Sequence, residues 1–285
     1  MSLDYFLPSA SGSLWRAFQA RRRAARRHRR QNKRFRKEIG PVSDQNLATA
    51  KQIFRLFEPT SAGREMVRLG GNNDGGYLLP DDFKDVSACF SPGVATTIDF
   101  DLDMAARGIA CFLIDGSVQG LPQDHPLLTF EQLNLGALSG DGVTSLDDWV
   151  SCSAPSAGDL ILQMDIEGAE FEVLNSVSDD VLRRFRTIVV EFHQFQHVFC
   201  LEWRAKVLPG LEKLVRHFAP VHLHPNNHAA LLDQQGMRFP RVFEVTFYRR
   251  DRLPDQPQPV TLPHPLDQPN VTWLPEYAVP KFWDV

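Results

Sequence analysis

The chain has 285 residues, of which 43% are hydrophobic and 23% charged, with a formal net charge of −4. At ~100–200 residues per domain this length holds one large domain with extensions or two small ones, and the apolar share excludes wholesale disorder. No apolar run approaches the ~18–20 residues of a membrane span. The arginines follow the first fifteen residues instead of preceding them, which is the wrong order for a secretory signal.

Residues 1–38 carry twelve Lys/Arg against Asp4 and Glu38, a net of +10, while the remaining 247 residues carry −14. Blocks of like charge repel and stay solvated, so this stretch reads as a basic N-terminal arm, helical at best in part. Leu14, Trp15 and Phe18 just ahead of Arg21-Arg22-Arg23 give it a sharper reading. An apolar patch followed by a polybasic run suits an anionic membrane surface. Nucleic acid would satisfy the same charges, although the acidic body would repel it.

Residues 66–79 read as two apolar strands flanking Gly70-Gly71-Asn72-Asn73-Asp74-Gly75-Gly76, a hairpin or a loop where backbone approaches a ligand. Short β-rich runs then alternate with helical patterns, the mark of an α/β domain with a mostly parallel sheet. The strands fall at 86–91, 110–114, 133–137 (the weakest), 160–164, 187–192, 220–224 and 243–248. Helices fall at 98–107, 146–149 behind a Ser145 cap, 169–177 and 201–218. The arrangement allows a terminal antiparallel pair. From Asp251 onward eight prolines are interspersed with Trp273, Tyr277, Phe282 and Trp283. Pro at that density forbids helices and central strands, so residues 251–285 read as a tail pinned across a domain spanning 39–250. Asn270-Val271-Thr272 spells a glycosylation acceptor, taken here as accidental. Cys89, Cys111, Cys152 and Cys200 form no CxxC pair, so a reduced, cytoplasmic setting is expected, peripheral to a membrane if the arm binds one.

In open α/β sheets ligands sit beyond the carboxyl ends of the strands, and there this sequence places Ser91, Gly93, Asp115, Asp165, Glu167, Glu191, His193, His224, Asn226 and Asn227. An acid closing the second strand can accept hydrogen bonds from both ribose hydroxyls, and Asp115 fits that place; a turn or cap aspartate is the competing reading. Ser91-Pro92-Gly93-Val94 offers one glycine where a dinucleotide fingerprint has three, and no GxxxxGK[ST] exists. A ligand with ribose and adenine but no phosphates suits the pattern better.

Asp165-Ile166-Glu167-Gly168-Ala169-Glu170-Phe171-Glu172-Val173-Leu174 resembles the most recognisable motif of the FkbM-type S-adenosylmethionine-dependent methyltransferases. GGNNDGGYLLP (Gly70–Pro80), EFHQF (Glu191–Phe195), HPNN (His224–Asn227) and FEVTF (Phe243–Phe247) are similar to one branch of that family, in the same order, over about residues 65–250. The resemblance implies a Rossmann-like class I methyltransferase fold with a seven-stranded, mostly parallel sheet and a terminal antiparallel strand. It also implies S-adenosylmethionine as cofactor, held by Ser91, Gly93, Asp101, Asp115, Gly116 and Asp165, and methyl transfer to a hydroxyl of a sugar, glycan or related small molecule.

An alcohol acceptor must lose its proton, which calls for a base or a metal. His193 is the first candidate base and Asp165 the second. Asp74, His224, Asn226 and Asn227 are candidates for orienting the acceptor, while Glu244, inside a strand, reads as structural. Asp165, Glu191 and His193 could instead hold a divalent metal, the less favoured arrangement. Two other functions compete: a methyltransferase-fold binding protein without turnover that works through its arm, and a nucleic-acid methyltransferase. Against the latter, no Asn/Asp-Pro-Pro-Tyr/Phe motif is present.

Overall fold

The computed structural model describes the backbone of residues 10–279 and the side chains of residues 19–279. Asp4, Phe282 and Trp283, and the side chains of Leu14, Trp15 and Phe18, lie outside the described residues. Helix α1 (Ala10–Ile39) is continuous, because no Gly or Pro interrupts Ser13–Ile39 and Ala, Arg, Gln and Lys are good helix formers. Gly40, at φ 67°, ends it and donates its N–H to Arg36 O. The helix is not a solvated arm. Ala24 and Phe35 are buried, and the Phe35 ring meets those of Phe199 and Phe239 at 6.5 and 5.9 Å. A few apolar positions on one face outweigh the mutual repulsion of the arginines, and Arg21, Arg27 and Arg36 donate to Trp273 O, His228 O and Asp233.

Helix α2 (Asp44–Arg55), capped by Ser43, leads to the antiparallel hairpin β1 (Met66–Leu69) and β2 (Tyr77–Pro80) around the glycine-rich loop. The α/β core then runs β3 (Val86–Pro92), α3 (Asp99–Ala106), β4 (Ala110–Ile114), β5 (Leu128–Glu131), β6 (Asn134–Gly136), β7 (Val143–Ser145), α4 (Leu146–Ser153), β8 (Asp159–Met164), α5 (Glu170–Ser176), α6 (Asp179–Leu182), β9 (Phe185–Phe192), α7 (Leu201–His217), β10 (Phe218–Pro225), β11 (Leu231–Gln234), β12 (Met237–Pro240) and β13 (Phe243–Arg249). Among the described residues the central sheet has seven strands in the order β10-β13-β9-β8-β3-β4-β5. Neighbours from β9 to β5 are parallel, and β13 is antiparallel to both β9 and β10, so the sheet is mixed. The antiparallel strand is last in sequence but lies one place in from the edge.

The expected strand at 133–137 is corrected. The sheet's edge is β5, paired with β4 from Cys111↔Leu128 to Ile114↔Glu131, whereas residues 134–136 form a small ribbon with β7. An edge strand buried on one side only carries a weak apolar signal, and the segment Leu133–Ala137 is the more apolar of the two. The β11–β12 hairpin, which carries α1, was likewise not anticipated.

Candidate active site

Beyond the carboxyl ends of β3, β4 and β8 lies a cavity of about 560 Å³, roofed by the β1–β2 loop and α3. Its floor is set by Gly93, at φ 85°, where a Cβ would stand 1.6 Å from the Asp165 carbonyl oxygen. Only glycine fits so close an approach. Gly93 N–H donates to Ile114 O (2.9 Å), tying the ends of β3 and β4 together.

Asp115 faces this cavity. Its Oδ2 accepts the Ala95 N–H (2.7 Å), and its Oδ1 accepts the Ser117 N–H (2.7 Å) and hydroxyl (2.6 Å). Burial opposes ionisation, but these hydrogen bonds win and hold its pKa below the ordinary value. A carboxylate has about four acceptor sites, so one remains on Oδ2. Asp101, on α3, also lines the cavity; its Oδ1 is buried without a partner, and burial outweighs the proximity of the Ser91 hydroxyl and pushes its pKa up to about 7. Ser91 itself is fully buried behind the wall, donating to Gln163 Oε1 (2.7 Å), and Gln163 in turn donates to Tyr77 OH (3.2 Å). Gly116 does not line the cavity; it makes room for the Asn134 side chain, 2.5 Å from where a Cβ would be.

The turn after β8 carries Glu167 (φ 56°) and Gly168 (φ 112°), and brings Glu170 under His193. Glu170 is 0% exposed. Its Oε1 accepts the Gly168 N–H (2.9 Å) and contacts His193 Nδ1 (3.0 Å), while Oε2 is buried without a partner. Burial works against an imidazolium, but the Glu170 hydrogen bond and charge outweigh it and raise the His193 pKa. The Nε2 of His193 lies 3.4 Å from the exposed Glu167 and 4.0 Å from Glu191. Asp165 lines the cavity with Oδ1 unpartnered; burial and then neighbouring charges leave its pKa at about 7.

A second acidic group stands beside the first. His224, Glu244 and Glu191 occupy one row across β10, β13 and β9. Like charges placed directly opposite are destabilising in a sheet, yet Glu191 and Glu244 are both buried. Burial, then Asp165 and Glu244, drive the Glu191 pKa well up. Asn270 from the tail donates to Asp74 Oδ1 (2.9 Å) and Glu244 Oε1 (2.6 Å), so the apparent glycosylation acceptor is a buried internal donor. His224 is held between Glu244 (3.6 Å) and Glu276 (3.5 Å), which against the cost of burial raise its pKa to about 10. Asn226 donates to Glu191 Oε1 (2.8 Å), and Asn227 is spent on tail contacts with Val271.

Of the sequence-derived candidates, Asp74, Gly93, Asp101, Asp115 and Asp165 line the cavity. Ser91, Gly116, His193, His224, Asn226 and Asn227 stand behind or beside it. Among the described residues three groups approach one another within metal-ligand reach: Asp165, Glu170 and His193; Asp74, Glu191 and Glu244; and the buried Cys89, Asp101 and Cys111. None of these is the expected set of Asp165, Glu191 and His193. Sequence reasoning missed Glu170, although its spacing to Val173 and Leu174 places it on the buried face of α5.

A family model described as the methyltransferase FkbM domain matches residues 143–218, from β7 through the Asp165–Glu170 turn and His193 to the end of α7. The match spans the segment that supplies Asp165, Glu170, Glu191 and His193, and the protein is a methyltransferase. No curated protein matches the chain.

Proposed function

We propose that the protein is an S-adenosylmethionine-dependent O-methyltransferase acting on a hydroxyl of a sugar, glycan or related small molecule. Residues 39–250 form its catalytic domain, a Rossmann-like class I fold, flanked by the arm 1–38 and the tail 251–285. The observation that carries the reading is the pair of acids in the cavity. Asp115 keeps an acceptor site for a ribose hydroxyl, and a turn of the Ser117 hydroxyl would free a second. The unpartnered Asp101 Oδ1 suits an ammonium group. A ligand with ribose and a charged amine but no phosphate fits this donor and acceptor set.

When bound, S-adenosylmethionine supplies an electrophilic methyl on a sulfonium centre. The chain's own part is alignment and proton removal. Glu170 fixes His193 through Nδ1, which leaves Nε2 to take the acceptor's hydroxyl proton. Asp74, held by Asn270, faces the cavity as an acceptor for a second substrate hydroxyl. His224 and Asn226 position Glu244 and Glu191 without touching the cavity, and Asn227 anchors the tail. The four cysteines are free, in keeping with a reduced, cytoplasmic setting, and no helix among the described residues is long and apolar enough to cross a membrane.

Calorimetric titration of S-adenosylhomocysteine tests the reading. Binding that Asp115→Ala weakens by ~1–3 kcal/mol, the scale of a charged hydrogen bond, is expected. An absence of heat, together with no competition from S-adenosylmethionine, would overturn it.

A further inference from the structure

A second cavity, of about 500 Å³, lies on the far side of α1, between that helix, the β11–β12 hairpin and Tyr277 of the tail. Arg29, Lys33 and Arg36 enter it from successive turns of one helix face, and Arg238 enters from β12. Like charges three and four residues apart on a helix repel, and docking α1 adds a fourth cation to the three. Against them stands one carboxylate, Asp233, which is engaged by Arg36 (2.5 Å). Arg29, Lys33 and Arg238 have no ion-pair or hydrogen-bond partner among the described residues. His28, whose pKa burial lowers, and Tyr277, hydrogen-bonded to it at 3.0 Å, form a neutral wall. Leu231 adds an apolar surface.

We propose that this groove binds a phosphate monoester. Such a group carries about −1.5 to −2 charges and three acceptor oxygens, which matches the cations left without partners, and guanidinium groups grip it bidentately. Tyr277 and Leu231 would receive its organic part. From Arg29 to Arg36 the helix advances only ~10 Å, room for one phosphorylated group and not for a run of nucleic-acid phosphates. The site is separate from the methyl-transfer cavity and does not rest on that reading.

The test uses the full chain. Inorganic phosphate and glycerol 3-phosphate are titrated calorimetrically, and cosedimentation is measured with phosphatidylcholine vesicles, with and without phosphatidic acid. The double variant Arg29→Gln/Lys33→Gln is compared with Arg26→Gln/Lys37→Gln, which removes the same charge from exposed positions outside the groove. The groove pair is expected to weaken binding about tenfold or more, the loss of at least one charged hydrogen bond, with the other pair near wild type. Capture by phosphatidic acid vesicles would identify a lipid headgroup as the source, and binding of the soluble probes without capture a free phosphate ester; either supports the proposal. Equal losses in both double variants, or no binding of any phosphate probe, would overturn it. So would retention of an RNA oligonucleotide that both pairs weaken alike while the phosphate probes fail to bind.

Discussion

The two ends of the central sheet treat buried charge in opposite ways. At the amino end of the parallel strands, Arg186, with 3% of its side chain exposed, bridges Asp82 (3.3 Å) and Asp159 (2.8 Å). Arg249 and Arg252 complete the pairing. Burial alone would raise both aspartates, but the arginines, with Tyr248 at Asp82, pull their pKa values below the ordinary range. At the carboxyl end, Asp165, Glu170, Glu191 and Glu244 are gathered around His193 and His224, with Arg68 of β1 acting on Glu244 by charge alone. The first end is compensated by arginines within the chain, and the second is not compensated to the same degree. Buried charge that lacks compensation inside the chain marks where chemistry comes from outside it.

The largest effect expected is on turnover. His193→Ala should lower kcat by ~10²–10⁴ while leaving the urea midpoint within error of wild type. A matching fall in stability would break the comparison by making His193 structural. At the other end, Arg186→Met takes one of several arginine partners from the buried Asp82 and the half-buried Asp159 and should cost ~1.5–3 kcal/mol in urea unfolding, the scale of hydrogen bonds to charged groups, with methyl transfer by the remaining folded enzyme unchanged.

The ends should also differ in sign against pH. Asp82 and Asp159 have lowered folded pKa values, so their contribution is present above the ordinary carboxylate range and is lost as pH falls through their folded values. Asp165 has a folded pKa raised to about 7, so its contribution is present in acid and is lost as pH rises from the ordinary carboxylate range through about 7. Asp165→Asn is therefore expected to gain ~0.5–2 kcal/mol over wild type at pH 8 and little at pH 4, measured by unfolding at both. Equal differences at the two pH values would show that its ionisation carries no strain. The smallest effect concerns the base. Its pKa lies above the ordinary histidine value, so kcat/KM should climb as pH rises through it, and Glu170→Gln should move that limb to lower pH. A limb that stays in place would separate Glu170 from the tuning of His193.

Most strands and the cavity's principal residues were legible because they depend on local pattern. Ala110–Ile114 and the turn at Asp115 announce themselves by an apolar run and its punctuation, and Gly93 by the Pro-Gly stop. What stayed hidden depends on register and docking. Nothing local in FEVTF shows that Glu244 will face Glu191 on one neighbour and His224 on the other. Asn270 reads as a residue of a pinned tail, and nothing local shows that its amide will join Asp74 to Glu244. The arm read as solvated because its charges are consecutive in sequence, whereas in the helix they divide between two faces.

The Asn270 contact has a consequence for biosynthesis. Asp74 and Glu244 are separated by most of the domain, and the amide that joins them comes from later in the chain than either. A chain emerging from the ribosome amino end first exposes Asp74, Asp165 and His193 before Asn270 exists to join that wall. The wall that joins Asp74 to Glu244 is therefore completed by one of the last segments to be synthesised, after every strand of the central sheet has been made.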